Sequence, residues 1–198
     1  MRPVIFVIGL AALVLAGGLG YYALQSSSPE PETANVPIGG PFELVDSTGE
    51  TVTQENFSGR HMLVYFGYTY CPDICPVSLQ NMVEAYAQLS SPVKAEVVPV
   101  FITVDPERDT VEVVKDYISY FDPALVGLTG STEQVDGAKS SYRVYAQKAP
   151  TSDAEDADYL VDHSSFIYLV DGTSSYVTHF GHSATPEEMR SKIEELLG

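Results

Sequence analysis

Both cysteines of this 198-residue chain lie in one heptapeptide, Tyr70-Cys71-Pro72-Asp73-Ile74-Cys75-Pro76. Two thiols with three residues between them suit three kinds of chemistry. They can close a structural disulfide, although a bridge over so short a loop constrains the unfolded chain little. They can cycle as a redox dithiol, although a spacing of two residues is the commoner redox arrangement. They can also bind a metal, for which two thiolates need at least one more ligand from elsewhere in the chain. Each cysteine precedes a proline, which disfavours the helical region for the residue before it. Cys71 and Cys75 are therefore expected on a stiff loop rather than inside a helix.

Four histidines are available as a third ligand: His61, His163, His179 and His182. His163 stands in Val161-Asp162-His163-Ser164, just before an apolar run, with Asp162 as a candidate carboxylate to orient its ring. A lone histidine in that position is more often structural than ligating. His179 and His182 have a metal-compatible spacing but straddle Gly181 at the end of an apolar run, and His61 reads as a solvated turn residue. A Cys2His set leaves a coordination position open, unlike a sealed structural zinc site. Soft thiolates favour Cu(I) and imidazole also accommodates Cu(II), so copper is the expected metal. A peroxidase is disfavoured: Asp73 puts an anion inside the loop and opposes thiolate formation, and Arg60 and Lys94, the nearest basic residues, are well separated from it.

The elements that must position these groups are legible as patterns. Pro41 to Val45 and Thr51 to Thr53 flank Asp46-Ser47-Thr48-Gly49, a hairpin signal. Met62 to Phe66 is a continuous apolar run, as in a strand buried on both faces. Pro76 suits the first position of a helix running to about Leu89, with Cys75 as its N-cap, where the helix end favours thiolate. Ala95 to Val104 reads as a second central strand in which Pro99 implies a local irregularity or an exposed edge. Asp109 and Glu112 read as a capping box before a helix with Val111, Val114, Ile118 and Phe121 on one face. Ser131 and Gln134 open another helix. Ser165 to Val170 and Ser175 to Phe180 read as strands joined around Asp171-Gly172. Thr185 and Glu188 open a terminal helix with Met189, Ile193 and Leu196 inward. Strands alternating with helices, then a hairpin and a last helix, give an α/β sandwich with a mixed sheet. A cysteine pair between the first core strand and its helix is the thioredoxin-type arrangement.

From Pro3 to Leu24 no side chain is charged, and at roughly 1.5 Å per residue this stretch matches the hydrocarbon core of a bilayer. Residues 1–24 are read as a transmembrane anchor. The alternative is a cleaved secretory signal, but Leu19-Gly20-Tyr21-Tyr22-Ala23 offers no small-x-small cleavage site. No cysteine follows closely enough for a lipid anchor. Arg2 lies on one side of the segment and Glu30 and Glu32 on the other, so the positive-inside rule places the amino terminus in the cytoplasm and the rest outside. Residues 25–40, polar and proline-rich, are a flexible tether, and residues 41–198 suffice for one compact domain. The formal charge of −17 argues against nucleic acid and against docking on anionic lipid.

Four stretches in order resemble the Sco/SenC family of copper-delivery proteins in cytochrome c oxidase assembly. They are Val64 to Pro76 with the cysteines, Phe101 to Thr110 (FITVDPERDT), Gly127 to Gly130 with Tyr142 to Tyr145, and Val161 to Ser164. The resemblance covers nearly the whole domain from Gly40. It implies a thioredoxin-like fold with an N-terminal transmembrane helix at the bacterial inner membrane, the domain facing the periplasm. It further implies copper bound by Cys71, Cys75 and His163 and handed to the copper centre of cytochrome c oxidase subunit II. Other periplasmic copper chaperones or thiol reductants are further partners. On this reading the protein is a metallochaperone and not an enzyme. Two alternatives stay open: a thiol–disulfide reductase using Cys71 and Cys75 without His163, or a redox or copper sensor. Asp105 is expected near the site as a supporting group, or merely as a carboxylate fixing a turn. The acidic run at 153–158 departs from the family pattern.

Overall fold

The structure, a computed structural model, describes Tyr21, residues 37–149 and residues 159–198. Apart from Tyr21, the proposed anchor lies outside the described residues, as does the acidic run at 153–158. Among the described residues no helix is long and apolar enough to cross a membrane. Pro37–Gly198 forms a compact unit of its own.

The hairpin strands β1 (Glu43–Asp46) and β2 (Thr51–Thr53) are joined by a turn in which Asp46 Oδ1 accepts the Thr48 and Glu50 amides at 2.8 and 3.0 Å. Next come β3 (His61–Gly67), α1 (Ile74–Ala87), the short α2 (Ser91–Ala95), β4 (Val97–Thr103), α3 (Val111–Ile118), β5 (Val126–Thr129) and α4 (Thr132–Tyr142). Strands β6 (Ala146–Lys148) and β7 (Val161–His163) form a separate ribbon, and β8 (Ile167–Val170), β9 (Tyr176–Phe180) and α5 (Pro186–Leu197) complete the chain. The main sheet has the order β2-β1-β5-β4-β3-β8-β9. Strands β3, β4 and β5 are parallel, while β1–β2, β1–β5, β3–β8 and β8–β9 are antiparallel. This is the mixed α/β sandwich of the thioredoxin type.

The central strands are apolar because both their faces are covered: Met62 to Phe66 and Val97 to Thr103 are buried throughout. Pro99 pairs with Leu63 on the β3 side, whereas the ladder to β5 begins only at Val100. The missing N–H therefore falls where the sheet has one neighbouring strand. It is a local edge, but a buried one rather than an exposed one.

Three boundaries differ from expectation. Helix α1 begins at Ile74 with Asp73 as N-cap, so Cys75 lies inside its first turn and is neither a loop residue nor the cap. First-turn amides have no partner within the helix, so Pro76 removes no hydrogen bond there and the helix can start before it. Helix α3 is capped by Thr110, whose hydroxyl accepts from Val113 N, and not by Asp109. In α5 the inward stripe steps by four, with Met189 and Ile193 fully buried and Leu197 packed on the core, which leaves Leu196 exposed. The boxes at Ser131/Gln134 and Thr185/Glu188 form as expected.

Candidate metal centre

The chain leaves β3 at Gly67 and must turn before α1. Asp109 fixes that turn. Its carboxylate accepts from Thr69 N at 3.1 Å, Thr69 Oγ1 at 2.6 Å and Thr103 Oγ1 at 2.5 Å, bolting the loop before the cysteines to the end of β4. The side chain is fully buried, and burial pushes its carboxyl up, against the pull of these donors. Sequence reasoning missed this role because Asp109 beside Glu112 and an apolar periodicity is indistinguishable from a cap.

Cys75 is buried and Cys71 half-buried. Cys75 N donates to Cys71 Sγ at 3.4 Å, so Cys71, not Cys75, holds its sulfur at the helix N-terminus. The Cys71 thiol is pulled well below its ordinary range, first by a hydrogen bond from the Cys75 thiol and then by His163 and the amides of Asp73 and Cys75, against burial. Cys75 is pushed up by the same bond, in which it is the donor, and by burial. This reverses two expectations: the helix end acts on Cys71 rather than Cys75, and the loop favours a thiolate, to which the Asp73 backbone amide donates.

His163 arrives on the β6–β7 ribbon. Ala146 pairs with His163, and just beyond it Ser164 N donates to Tyr145 O at 2.9 Å while Tyr145 N donates to Ser164 Oγ at 3.1 Å. The ring lies edge-on to Tyr65 and Tyr68, with centroids 6.3 and 5.7 Å apart. Its Nδ1 is 3.0 Å from Ser164 O, a group that can only accept, so Nδ1 donates there and Nε2 is the ring nitrogen left to face the sulfurs. That Nε2 is 3.4 Å from Cys75 Sγ. Asp162 does not orient the ring: side chains alternate along β7, and Asp162 faces solvent.

A second set of contacts holds the arm carrying His163 on the turn between β4 and α3. Arg108 Nε donates to Asp105 Oδ2 at 2.6 Å and Nη1 to Tyr159 O at 2.9 Å, and Tyr159 Oη donates to Asp105 Oδ1 at 2.6 Å. The guanidinium also stacks 3.7 Å from the Tyr159 ring centroid. Asp105 is thus a buried support that binds arginine and tyrosine, and the Arg108 and Asp109 amides also donate to its carbonyl in the turn before α3.

His61 opens β3 at the far end from the cysteines, His179 bonds Tyr176 Oη through Nδ1 at 2.7 Å, and His182 is exposed in a turn. The structure therefore gathers one histidine of the four with both sulfurs. The gathering is by hydrogen bonds: among the described residues no three His, Cys, Asp or Glu side chains stand ready-made around a vacant metal position.

The SCO1/SenC family pattern matches residues 30–198. A SCO2-like protein of Rickettsia felis is 40% identical over 194 residues, covering 94% of each chain. The human mitochondrial SCO1 homolog is 40% identical over 157 residues, 79% of this chain and 52% of that one. The structure of Bradyrhizobium japonicum ScoI with copper bound superposes with a TM-score of 0.71 at 43% identity, covering 80% of this chain and 98% of that one. Matched over residues 30–198 by the family pattern and over 94% of its length by a relative at 40% identity, the chain belongs to the SCO1/SenC family.

Proposed function

We propose that this protein is a membrane-tethered copper metallochaperone that binds copper through Cys71, Cys75 and His163 and hands it to the copper centre of cytochrome c oxidase subunit II. The observation that carries this reading is the approach of His163 Nε2 to Cys75 Sγ at 3.4 Å. Two donors of one tetrahedral centre, with bonds of about 2.3 Å to sulfur and about 2.0 Å to nitrogen, stand roughly 3.5 Å apart. Loading then takes a small rearrangement of the three side chains and loss of the Cys75 proton. Soft sulfur with one imidazole suits copper in either oxidation state. Copper is the cargo here, so an open, half-exposed ligand at Cys71 serves release as well as capture. The copper-bound ScoI relative supports the same metal. Residues 1–24 serve as the anchor, residues 25–40 as the tether, and residues 41–198 as the periplasmic copper-binding domain.

A second reading draws on the asymmetry of the pair. A half-exposed Cys71 with a depressed thiol and a buried Cys75 with a raised one match the attacking and resolving cysteines of a thiol–disulfide reductase. Such an activity would keep a recipient's cysteines reduced, and it needs no histidine.

The deciding experiment measures Cu(I) and Cu(II) stoichiometry and competition affinity on the reduced, detergent-purified full chain and on His163→Ala. One tight copper in the wild type and loss of most affinity in His163→Ala support the metallochaperone. Absence of tight copper in both, with equal reduction of a disulfide substrate, supports the reductase.

A further inference from the structure

Among the described residues, the buried hydroxyls that lack a hydrogen-bond partner are those of Tyr65, Ser78 and Tyr117. Such orphans are uncommon in a packed core, and each needs a reason. One of them, Tyr65, adjoins the Cys75 sulfur, and Ser78 adjoins the Tyr65 hydroxyl. Tyr65 is fully buried on β3, and its hydroxyl neighbours both Cys75 and Ser78 without making an aligned hydrogen bond to either. Its ring and the Cys75 sulfur share the space over Gly67: a Cβ built there would lie 2.8 Å from Tyr65 Cε1 and 3.0 Å from Cys75 Sγ. Ser78 stands three residues after Cys75 on α1, on the same buried face, 1% exposed. Its hydroxyl has not turned back to a carbonyl of its own helix, as a buried helical serine ordinarily does.

In the metal-free protein neither hydroxyl has a partner within hydrogen-bond geometry. A metal-bound thiolate is a different partner. It is an anionic acceptor with no hydrogen, and donors around a ligating sulfur tune metal sites of this kind. We infer that Tyr65 and Ser78 are positioning residues whose hydroxyls are held in reserve for the Cys75 sulfur of the copper-loaded state, idle in the metal-free protein and bonded once Cys75 ligates copper. The pair thereby biases the protein toward its loaded form and orients the Cys75 sulfur, while the half-exposed Cys71 remains the ligand that a recipient can displace. Tyr65 also touches the His163 ring edge-on, so one side chain borders two of the three proposed ligands. This inference rests on copper being the cargo.

The test is a Cu(I) competition titration against a chromophoric chelator on the full chain, with Tyr65→Phe, Ser78→Ala and the double variant beside the wild type. Thermal unfolding is recorded for each protein with and without copper. The inference expects metal-free midpoints equal to or above wild type, since an orphan is removed. It also expects an affinity loss of about tenfold or more per hydroxyl, the effect of one hydrogen bond to a charged group. The midpoint gain on loading shrinks accordingly, and the sulfur-to-copper charge-transfer band of the Cu(II) form moves to lower energy in Tyr65→Phe. Variants that lose metal-free stability but keep wild-type affinity and the wild-type band would make the hydroxyls structural and overturn the inference alone. A wild type with no tight Cu(I) overturns the cargo reading together with it.

Discussion

Val161 N donates to Tyr68 Oη at 3.2 Å, joining the residue two before His163 to the residue three before Cys71. The two halves of the site, 88 residues apart at Cys75 and His163, therefore share a hydrogen bond that is not itself part of the ligand set. Removing that hydroxyl with Tyr68→Phe leaves a buried amide unpaired and is expected to lower stability by about 1–3 kcal/mol. Hydrogen exchange should show faster exchange at Val161 and along β7, while the β3–β4 amides keep their protection. Unchanged exchange at Val161 would mean the ribbon is held by other contacts.

Arg108 is a bracket as well as a charge. It donates from Nε to Asp105 and from Nη1 to Tyr159 O while its plane lies over the Tyr159 ring. Lysine has one compact donor group and no plane to stack, so Arg108→Lys should destabilise by about 1–3 kcal/mol despite keeping the charge. Tyr159→Phe removes the hydroxyl from the same network. A double-mutant cycle in urea should give a coupling energy of at least about 0.5 kcal/mol. Additive effects would show that Asp105 is held by its two partners independently.

The reduced cysteines make stability depend on pH with opposite signs. The lowered Cys71 thiol contributes stability that is present in full above the unfolded value and is lost as pH falls toward its folded value. The raised Cys75 thiol contributes stability that is present below the unfolded value and is lost as pH rises toward its own folded value. Their sum peaks near the ordinary thiol value, about pH 8.5. The difference in unfolding free energy between the reduced wild type and the Cys71→Ser, Cys75→Ser double variant should trace this bell. Iodoacetamide should also label Cys71 well below that pH while sparing Cys75. A flat difference, or equal labelling, would mean the two sulfurs do not share a proton.

How far the sequence reveals this site depends on the range of the interactions. Local chemistry was legible: the Ser131 and Thr185 boxes, the Asp46 turn and the apolar β3 and β4 runs are set by residues a few positions apart. Short elements stabilised by distant partners were not. Strands β6 and β7, three residues each, carry no periodicity of their own and exist because Tyr145, Ser164 and Tyr68 bond them in place. Asp109 read as a cap because its true partners, Thr69 and Thr103, are fixed by tertiary packing. The orientation of His163 was attributed to Asp162, which strand alternation turns away, and is instead set by a carbonyl, which has no sequence signature.

Gly67 is where backbone, core and sulfur meet, and its missing side chain is a requirement rather than a convenience. A Cβ there would press on Tyr65 Cε1 at 2.8 Å and Cys75 Sγ at 3.0 Å. Neither neighbour is free to retreat, since both residues are fully buried and His163 Nε2 stands 3.4 Å beyond the sulfur. Gly67→Ala is therefore expected to cost about 1–3 kcal/mol by overpacking and to push Cys75 off its contact with His163, weakening Cu(I) binding. Gly137, inside α4 with open space where its Cβ would stand, is the matched control. Gly137→Ala should stabilise the protein by up to about 1 kcal/mol through helix propensity and leave copper affinity at the wild-type value. Urea midpoints and Cu(I) competition on both variants separate the two effects. Wild-type affinity in Gly67→Ala would show that the Cys75 sulfur has room to move, and that His163 follows it.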